Sequence, residues 1–500
     1  MFTKIQTATL NGVEGYPVSV ETDLHRGMPG FYIAGLADTT IKEAVMRIKP
    51  AILNSDYRFP MEKVTVNLVP AGRPKEGSHF DLPIALGIIM LEGNIVEIEE
   101  TAFLGEVSLD GKVNPVRGVL PLIISLRKAG IKKVVVPAAN AEEASILEDI
   151  KIMAVETLRE AAEYVLGERE FSAYERKQIE LTPEVEPDFA QVIGQESVKR
   201  AILIGAAGNH GMLMMGGPGC GKTMMARRIP SILPPLSYEE KLEITGIYSV
   251  AGLLNDKNPI VSARPFRSPH HTITMRGLVG GGTRPRPGEL SLAHRGVLFL
   301  DELGEFDGRV IDSMRQPIEE GVIRITRNSE EMIFPSKVMV VVAANPCKCG
   351  NLWDERKVCT CTRKQLDSHR RKLMGPFADR IDMHIKVNPV DKEKLTSMSV
   401  GESSKHMREA VAKVREIQRK RYEGLSYRFN SELDEKGLKE FCKLDEDTKE
   451  MLMNAYDRLG LTMRAYAKIL KLARTIADLD ESENIMPMHI AEALQFRLSQ

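Results

Sequence analysis

MLMMGGPGCGKTMMARRIP, residues 212–230, is the stretch whose reading decides the fold. Its four leading apolar residues make a short buried strand, and a glycine-rich turn separates them from residues able to start a helix. Gly216, Gly217, Pro218, Gly219, Cys220, Gly221, Lys222 and Thr223 fit G-x-x-x-x-G-K-[ST] in full. The strand before the pattern and the helix after it give the pattern chemical meaning. The glycines let the backbone curl so that successive N–H groups face phosphate oxygens. Lys222 brings a point charge to the β- and γ-phosphates, and the Thr223 hydroxyl is placed to ligate Mg²⁺. The stretch therefore implies ATP and Mg²⁺ as cofactors. It also implies a parallel α/β sheet with the phosphate loop at the carboxyl ends of its strands. An incidental glycine turn with a nearby lysine would not carry both flanks.

Downstream, residues 296–302 read GVLFLDE. A buried central strand delivers Asp301 and Glu302 at the same edge of such a sheet. Asp301 can hold Mg²⁺ directly or through water, and Glu302 can orient and polarise the attacking water. A third apolar run, VMVVVAAN, ends at Asn345. An amide there can hydrogen-bond both the γ-phosphate and the water; alternatively it is a strand-end residue in a turn before Pro346. Directly afterwards come Cys347, Cys349, Cys359 and Cys361, two C-x-C pairs nine residues apart. Four thiolates match a closed structural Zn²⁺ site, in which the metal gives a short polar loop folding energy that it cannot draw from a core. Free thiols in a mobile loop and redox disulfides are the alternatives. Cys220 and Cys442 have no sequence partners.

A chain of 500 residues is too long for one ordinary core. Composition divides it into an N-terminal α+β segment over residues 1–167, an acidic, proline-bearing linker over 168–188, a βα-alternating segment over 189–395 and a helical segment over 396–500. In the first, Val64–Pro70 and Lys133–Pro137 read as strands, and Ile84–Leu91 and Val119–Ala129 as helices. In the last, Met407, Val411, Val414 and Ile417 give one helix an apolar face. The formal net charge of −1 excludes a globally basic DNA coat but leaves room for a local basic channel. The first residues, MFTKIQTATLNGVEGYPV, lack the pattern of a secretory leader, and no stretch has the apolar length of a membrane span, so a cytoplasmic protein is expected.

The segment from Phe189 onward resembles the magnesium-chelatase-like AAA+ ATPases, in particular their ComM/YifB group. The resemblance rests on VIGQESVKRAILIGAAGNHGMLMMGGPGCGKT, RPFRSPHHT, GGGTRPRPGELSLAHRGVLFLDEL, RQPIEEG, AANPCKCG, GPFADRID and RAYAKILKLARTIADL, in this order. It implies an AAA+ core with a C-terminal helical lid, Asn345 as sensor 1, Arg380 as arginine finger and Arg464 as sensor 2. Phe377 and Ala378 stand where two leucines usually precede the finger's Asp-Arg. Read alone, each arginine is equally a salt-bridge partner. The resemblance further implies self-association into a ring, commonly a hexamer, because the finger acts in trans. It also implies DNA, single-stranded or branched, as the substrate of a helicase that drives branch migration when transforming DNA recombines. The first segment resembles the proteolytic domain of Lon, of ribosomal S5 domain 2-like fold, through Pro74–Pro83 and Leu104–Asn140. Aligned on these, the nucleophile position falls on His79 and that of its lysine partner on Leu120. Ser78 is one residue out of register, so the resemblance implies the fold without the peptidase chemistry.

Between Arg264 and Pro287 the sequence has no Asp or Glu. Arg276, Arg284 and Arg286 there, around the flexible Gly280–Gly282, are the expected DNA contacts: a basic mobile loop that tracks phosphates in a ring's pore. On residues alone, a solvated loop whose arginines pair with acidic neighbours explains the stretch as well. Two other functions compete with the DNA motor. One is a chelatase-type ATPase subunit driving metal insertion or remodelling of a protein partner; the other is an ATP-dependent protease, disfavoured by His79 and Leu120.

Overall fold

The structure is a computed structural model, and it describes residues 1–93, 98, 100–176, 187–255, 257–327, 330–354, 357–389 and 401–497. Residues 177–186 of the expected linker and the boundary expected near residue 395 lie outside them.

The N-terminal part is built on a seven-stranded mixed sheet. Its strands are β1 (Phe2–Asn11), β2 (Glu14–His25), β3 (Gly30–Ala34), β4 (Lys63–Val69), β5 (Thr101–Phe103), β6 (Lys133–Pro137) and β7 (Lys151–Val155), in the spatial order β3-β4-β2-β1-β5-β6-β7. Strand β4 alternates, with Val64, Val66 and Leu68 wholly buried, as a strand with one face on a core must. Helix α1 (Asp81–Ile89) is buried all round and α2 (Val119–Lys128) nearly so, each under a different face of the sheet.

The central part is a five-stranded parallel sheet. It comprises β8 (Met212–Met215), β9 (Phe266–Arg267), β10 (Val297–Leu300), β11 (Met339–Ala344) and β12 (Met383–Lys386), ordered β9-β10-β11-β8-β12. All four residues of β8 and of β10, and all six of β11, are buried. That is why these strands read as uninterrupted apolar runs: helices cover both faces of a parallel sheet. Helix α3 (Glu196–Gly208) packs on one side, with helix α4 (Lys222–Ala226) following the glycine loop. Beyond residue 401 the described residues are helical. In α5 (Ser404–Arg421), Met407, Val411 and Val414 are buried as the spacing requires, while Ile417 is only half-buried and Gln418 takes the inner position beside it.

The first two parts touch closely. Helix α2 lies along a helix of the central part, Tyr238–Ala251, and Gly246 admits Pro121: a Cβ there would stand 3.4 Å from the proline ring. The buried carboxylate of Glu143 accepts from Leu120 N at 3.0 Å and from the Ser249 hydroxyl across the boundary. Tyr238 donates to Ile146 O at 3.0 Å. The start of the expected linker is also docked, not free: Tyr174 N donates to Ile152 O at 2.6 Å, and Phe171 meets Tyr164 edge-on.

Candidate active site

Registry in the parallel sheet brings the candidate residues to one edge. Met215 pairs with Ala344 and Leu300 with Val342, so the glycine loop, Asp301 and Asn345 leave their strands side by side. The loop turns at Gly219 and Gly221, whose φ angles of 77° and 85° suit glycine and few other residues. At Gly216 the constraint is space, because a Cβ would sit 2.3 Å from Val387 O. Pro218, Cys220, Lys222, Thr223, Asp301, Glu302 and Asn345 line one cavity of about 400 Å³.

Inside it, Lys222 Nζ donates to Gly216 O at 2.7 Å, Gly217 O at 2.9 Å and Asn345 Oδ1 at 3.1 Å. Burial pulls its pKa below the usual lysine value, against the opposing pull of Cys220, Asp301 and Glu302. The Thr223 hydroxyl donates to Asp301 Oδ2 at 2.7 Å. A hydroxyl and a carboxylate brought together this way are the hard oxygen donors that suit Mg²⁺. Glu302 has φ 52° and ψ 50°. A left-handed non-glycine backbone costs about 1–3 kcal/mol and is kept where a site demands it. Here it turns the chain sharply at the strand end, so that consecutive carboxylates both line the cavity.

Arg380 and Arg464 are not among that cavity's lining residues. They meet each other's partner instead: Arg380 Nε lies 3.0 Å and Arg464 Nη2 2.8 Å from Glu319 Oε1, beside a second cavity of about 480 Å³. Phe377 and Ala378, the departures from the two-leucine pattern, are both buried and fill the apolar places beneath the Arg380 turn. Glu319 was legible only as part of RQPIEEG; nothing local marks it as the acid that gathers two arginines from 61 and 145 positions away.

The stretch 264–287 departs from the expected loose loop. The Arg264 side chain is buried against Glu240 and the half-buried Arg267 pairs with Glu289, so two of its basic residues hold the fold. The rest forms a short helix, Met275–Val279, and a hairpin, Gly280–Gly281 with Arg286–Pro287. Its glycines serve that hairpin: at Gly280, φ is 93° and a Cβ would stand 2.4 Å from Arg286 O. Arg276, Arg284 and Arg286 share a cavity of about 420 Å³ with Arg327, Asp38 and Glu76. Arg284 Nη2 lies 3.2 Å from Asp38 and 2.6 Å from the Thr40 hydroxyl of the N-terminal part. Arg327, at the end of a hairpin strand Val322–Arg327, escaped the sequence reading because its own neighbourhood has acids as well as bases.

The four cysteines converge. Their sulfurs lie within 4.8 Å of one another, with Cys347–Cys349 at 3.4 Å, Cys349–Cys359 at 3.5 Å and Cys347–Cys359 at 3.7 Å. These spacings exceed the roughly 2.0 Å of a disulfide and approach the about 3.8 Å between corners of a tetrahedron with ~2.3 Å metal–sulfur bonds. In the N-terminal part, His79 is buried and its Nε2 donates to Ala8 O at 2.8 Å, burial holding its pKa down at about 4. Leu120 is wholly buried. The nearby Lys75 spends its ammonium on the carbonyls of Gly35, at 2.9 Å, and Pro70.

Among the described residues, no helix is long and apolar enough to cross a membrane. Three family matches divide the chain: magnesium chelatase subunit ChlI over residues 188–395, subunit ChlI of Mg-chelatase over 20–140, and the ChlI C-terminal family over 401–497. The competence protein ComM of Haemophilus influenzae is 38% identical over 97% of this chain and 95% of its own length. The uncharacterized protein YifB of Escherichia coli K12 is 38% identical over 99% of this chain and 96% of its own. The magnesium-chelatase 67 kDa subunit of Heliobacterium mobile is more distant, 27% identical over 39% of this chain and 30% of its own. Near-full-length identity at this level, on a parallel sheet that carries the phosphate loop and the two acids at one edge, shows that the chain belongs to the ComM/YifB group of magnesium-chelatase-like AAA+ ATPases.

Proposed function

We propose that this chain is an ATP-driven DNA motor working as a ring, a hexamer, and moving branched or single-stranded DNA as a branch-migration helicase does. In that reading Lys222 and the loop amides hold the β- and γ-phosphates, and Thr223 and Asp301 hold Mg²⁺, which neutralises charge developing on the phosphoryl oxygens. Glu302 orients the attacking water and takes its proton, and the Asn345 amide fixes the water against the γ-phosphate. Arg380, paired with Glu319 and not lining the cavity of its own phosphate loop, reaches the nucleotide of a neighbouring subunit as the arginine finger, and Arg464 acts as the sensor 2 arginine.

The observation that carries the DNA reading is the cavity lined by Arg276, Arg284, Arg286 and Arg327. Four guanidiniums against two carboxylates, Asp38 and Glu76, leave an excess of positive charge at the junction of the N-terminal part with two hairpins of the ATPase. Similarity to a competence protein supports the same reading. The test is a salt titration of single-stranded DNA binding by wild type and by the Arg276→Ala/Arg284→Ala/Arg286→Ala protein. Each lost phosphate contact removes about 0.7 from the slope of log affinity against log salt, so the slope falls by about two units. ATP binding survives, because none of the three lies at the phosphate loop. Equal slopes would move the DNA site elsewhere. Absence of DNA binding by wild type would favour the chelatase-type reading, for which the distant chelatase subunits speak.

The N-terminal part serves assembly or DNA contact and not proteolysis: a buried neutral His79 and an aliphatic Leu120 stand in place of a serine and its lysine. Purified protein with ATP is expected to leave unfolded casein intact. Cleavage that Ser78→Ala abolishes would overturn this. The cysteine knuckle is assigned one Zn²⁺ per chain, held by Cys347, Cys349, Cys359 and Cys361, and elemental analysis of reduced protein measures it directly.

A further inference from the structure

We infer that the four-cysteine knuckle is a wall of the nucleotide site, so that its metal holds Asn345 and the phosphate loop at Pro218 in place and thereby sets the rate of ATP hydrolysis. The inference rests on the ATPase and zinc readings above. It goes beyond them because a zinc knuckle ordinarily stabilises only its own loop.

Three contacts tie the knuckle to the site. Cys347 follows Asn345 by two residues, and the turn it begins closes with Gly350 N donating to Cys347 O at 3.0 Å. That turn lies on the phosphate loop. Gly350 has φ 82°, and a Cβ on it would stand 2.6 Å from Pro218 Cδ, while a Cβ on Gly217 would stand 3.4 Å from Gly350 O. The turn that closes the first cysteine pair is thus packed, through Gly350, against the loop assigned to phosphate.

The second cysteine pair closes the wall from behind. Cys361 lies two residues before helix α6 (Arg363–Leu373), whose N-cap Thr362 and Gln365 form a capping box. From this helix His369 Nε2 donates to the backbone carbonyl of Asn345 at 2.9 Å. Lys372 of the same helix donates to Gly304 O, two residues beyond Glu302. The segment therefore leaves the sheet at Asn345, passes through all four sulfurs and returns to brace both Asn345 and the turn after Glu302. The contacts between the two C-x-C pairs are those of the cysteines themselves, the sulfurs near one another and Cys349 N donating to Cys361 Sγ at 3.3 Å, so without a metal the brace loses its fixed length. Trp353, the only tryptophan of the chain, sits between the two pairs under the Lys386 ammonium, 5.3 Å from the ring centre. It is a built-in reporter of the knuckle.

The experiment compares full-length wild type, Cys359→Ser/Cys361→Ser and His369→Ala. It reads zinc content, Trp353 emission with and without a non-hydrolysable ATP analogue, and turnover at saturating ATP. Wild type is expected to hold about one zinc per chain and to change emission when the analogue binds. The double cysteine variant is expected to lose zinc and that response, with turnover falling roughly ten- to a hundred-fold, as for a catalytic group displaced by an ångström. His369→Ala is expected to keep zinc and lose turnover roughly three- to tenfold, the equivalent of one hydrogen bond. Zinc lost with turnover and nucleotide response unchanged would overturn the inference and leave the metal reading intact. Wild type free of zinc yet active would overturn both. If the double variant does not fold, His369→Ala decides: wild-type turnover in it overturns the inference.

Discussion

Glu302→Gln is expected to bind ATP as wild type does and to hydrolyse it roughly 10³-fold more slowly. The side chain keeps its size and its place at the strand end but can no longer accept a proton. General-base catalysis of this kind contributes typically about 10²–10⁴-fold. Affinity is spared because the phosphate contacts come from Lys222 and the loop, and Asp301 still accepts from Thr223 at 2.7 Å. Lys222→Ala separates the two effects from the other side: it removes the ammonium that now binds Gly216 O, Gly217 O and Asn345, and weakens nucleotide binding itself. Single-turnover hydrolysis and equilibrium binding of a fluorescent ATP distinguish them. Normal turnover in the Glu302→Gln protein would remove Glu302 from the mechanism.

Arg380→Ala is expected to lower turnover by roughly 10³-fold or more, the range for loss of an arginine finger, and the loss is expected to be repaired by mixing. In the single chain Arg380 and Arg464 sit on Glu319, and neither lines the cavity at Lys222. In the proposed ring, a finger so placed would complete a neighbour's site. Arg380→Ala subunits keep an intact phosphate loop, and Glu302→Gln subunits keep an intact finger. A mixture of the two inactive proteins regains activity wherever an intact finger faces an intact loop. ATPase rate against mixing ratio measures it. A flat zero line across all ratios would place the Arg380 contribution within its own chain.

The parts of this account that the sequence made legible are those governed by local rules. Strands β8, β10 and β11 are buried on both faces, so each appears as an unbroken apolar run, and the polar residues that follow the last two, Asp301, Glu302 and Asn345, line the cavity with the loop that follows the first. Helix α5 displayed Met407, Val411 and Val414 of its buried face through spacing, but not Gln418, which lies inside where Ile417 was expected. What was not legible depends on partners distant in the chain. Strand β9 is two residues long and exists because Phe266 pairs with Val297 and stacks on Phe299. The basic stretch 264–287 read as a mobile loop because its acids, Glu240, Glu289 and Asp38, lie outside it, two of them on other elements of the fold. Glu319 went unnoticed because its two arginines lie 61 and 145 positions away, Arg327 because it stands among acids as well as bases, and nothing in the spacing of the cysteines showed that Gly350 would rest on Pro218.

The measurement that bears most directly on an ATP-driven DNA motor is the steady-state ATPase rate of the purified wild-type protein, alone and with single-stranded and forked DNA at low salt. The expected result is a rate that rises on addition of DNA, saturates, and loses its stimulation as salt strips the phosphate contacts. An ATPase whose rate is identical with and without either DNA, at salt low enough to keep those contacts, would contradict the account.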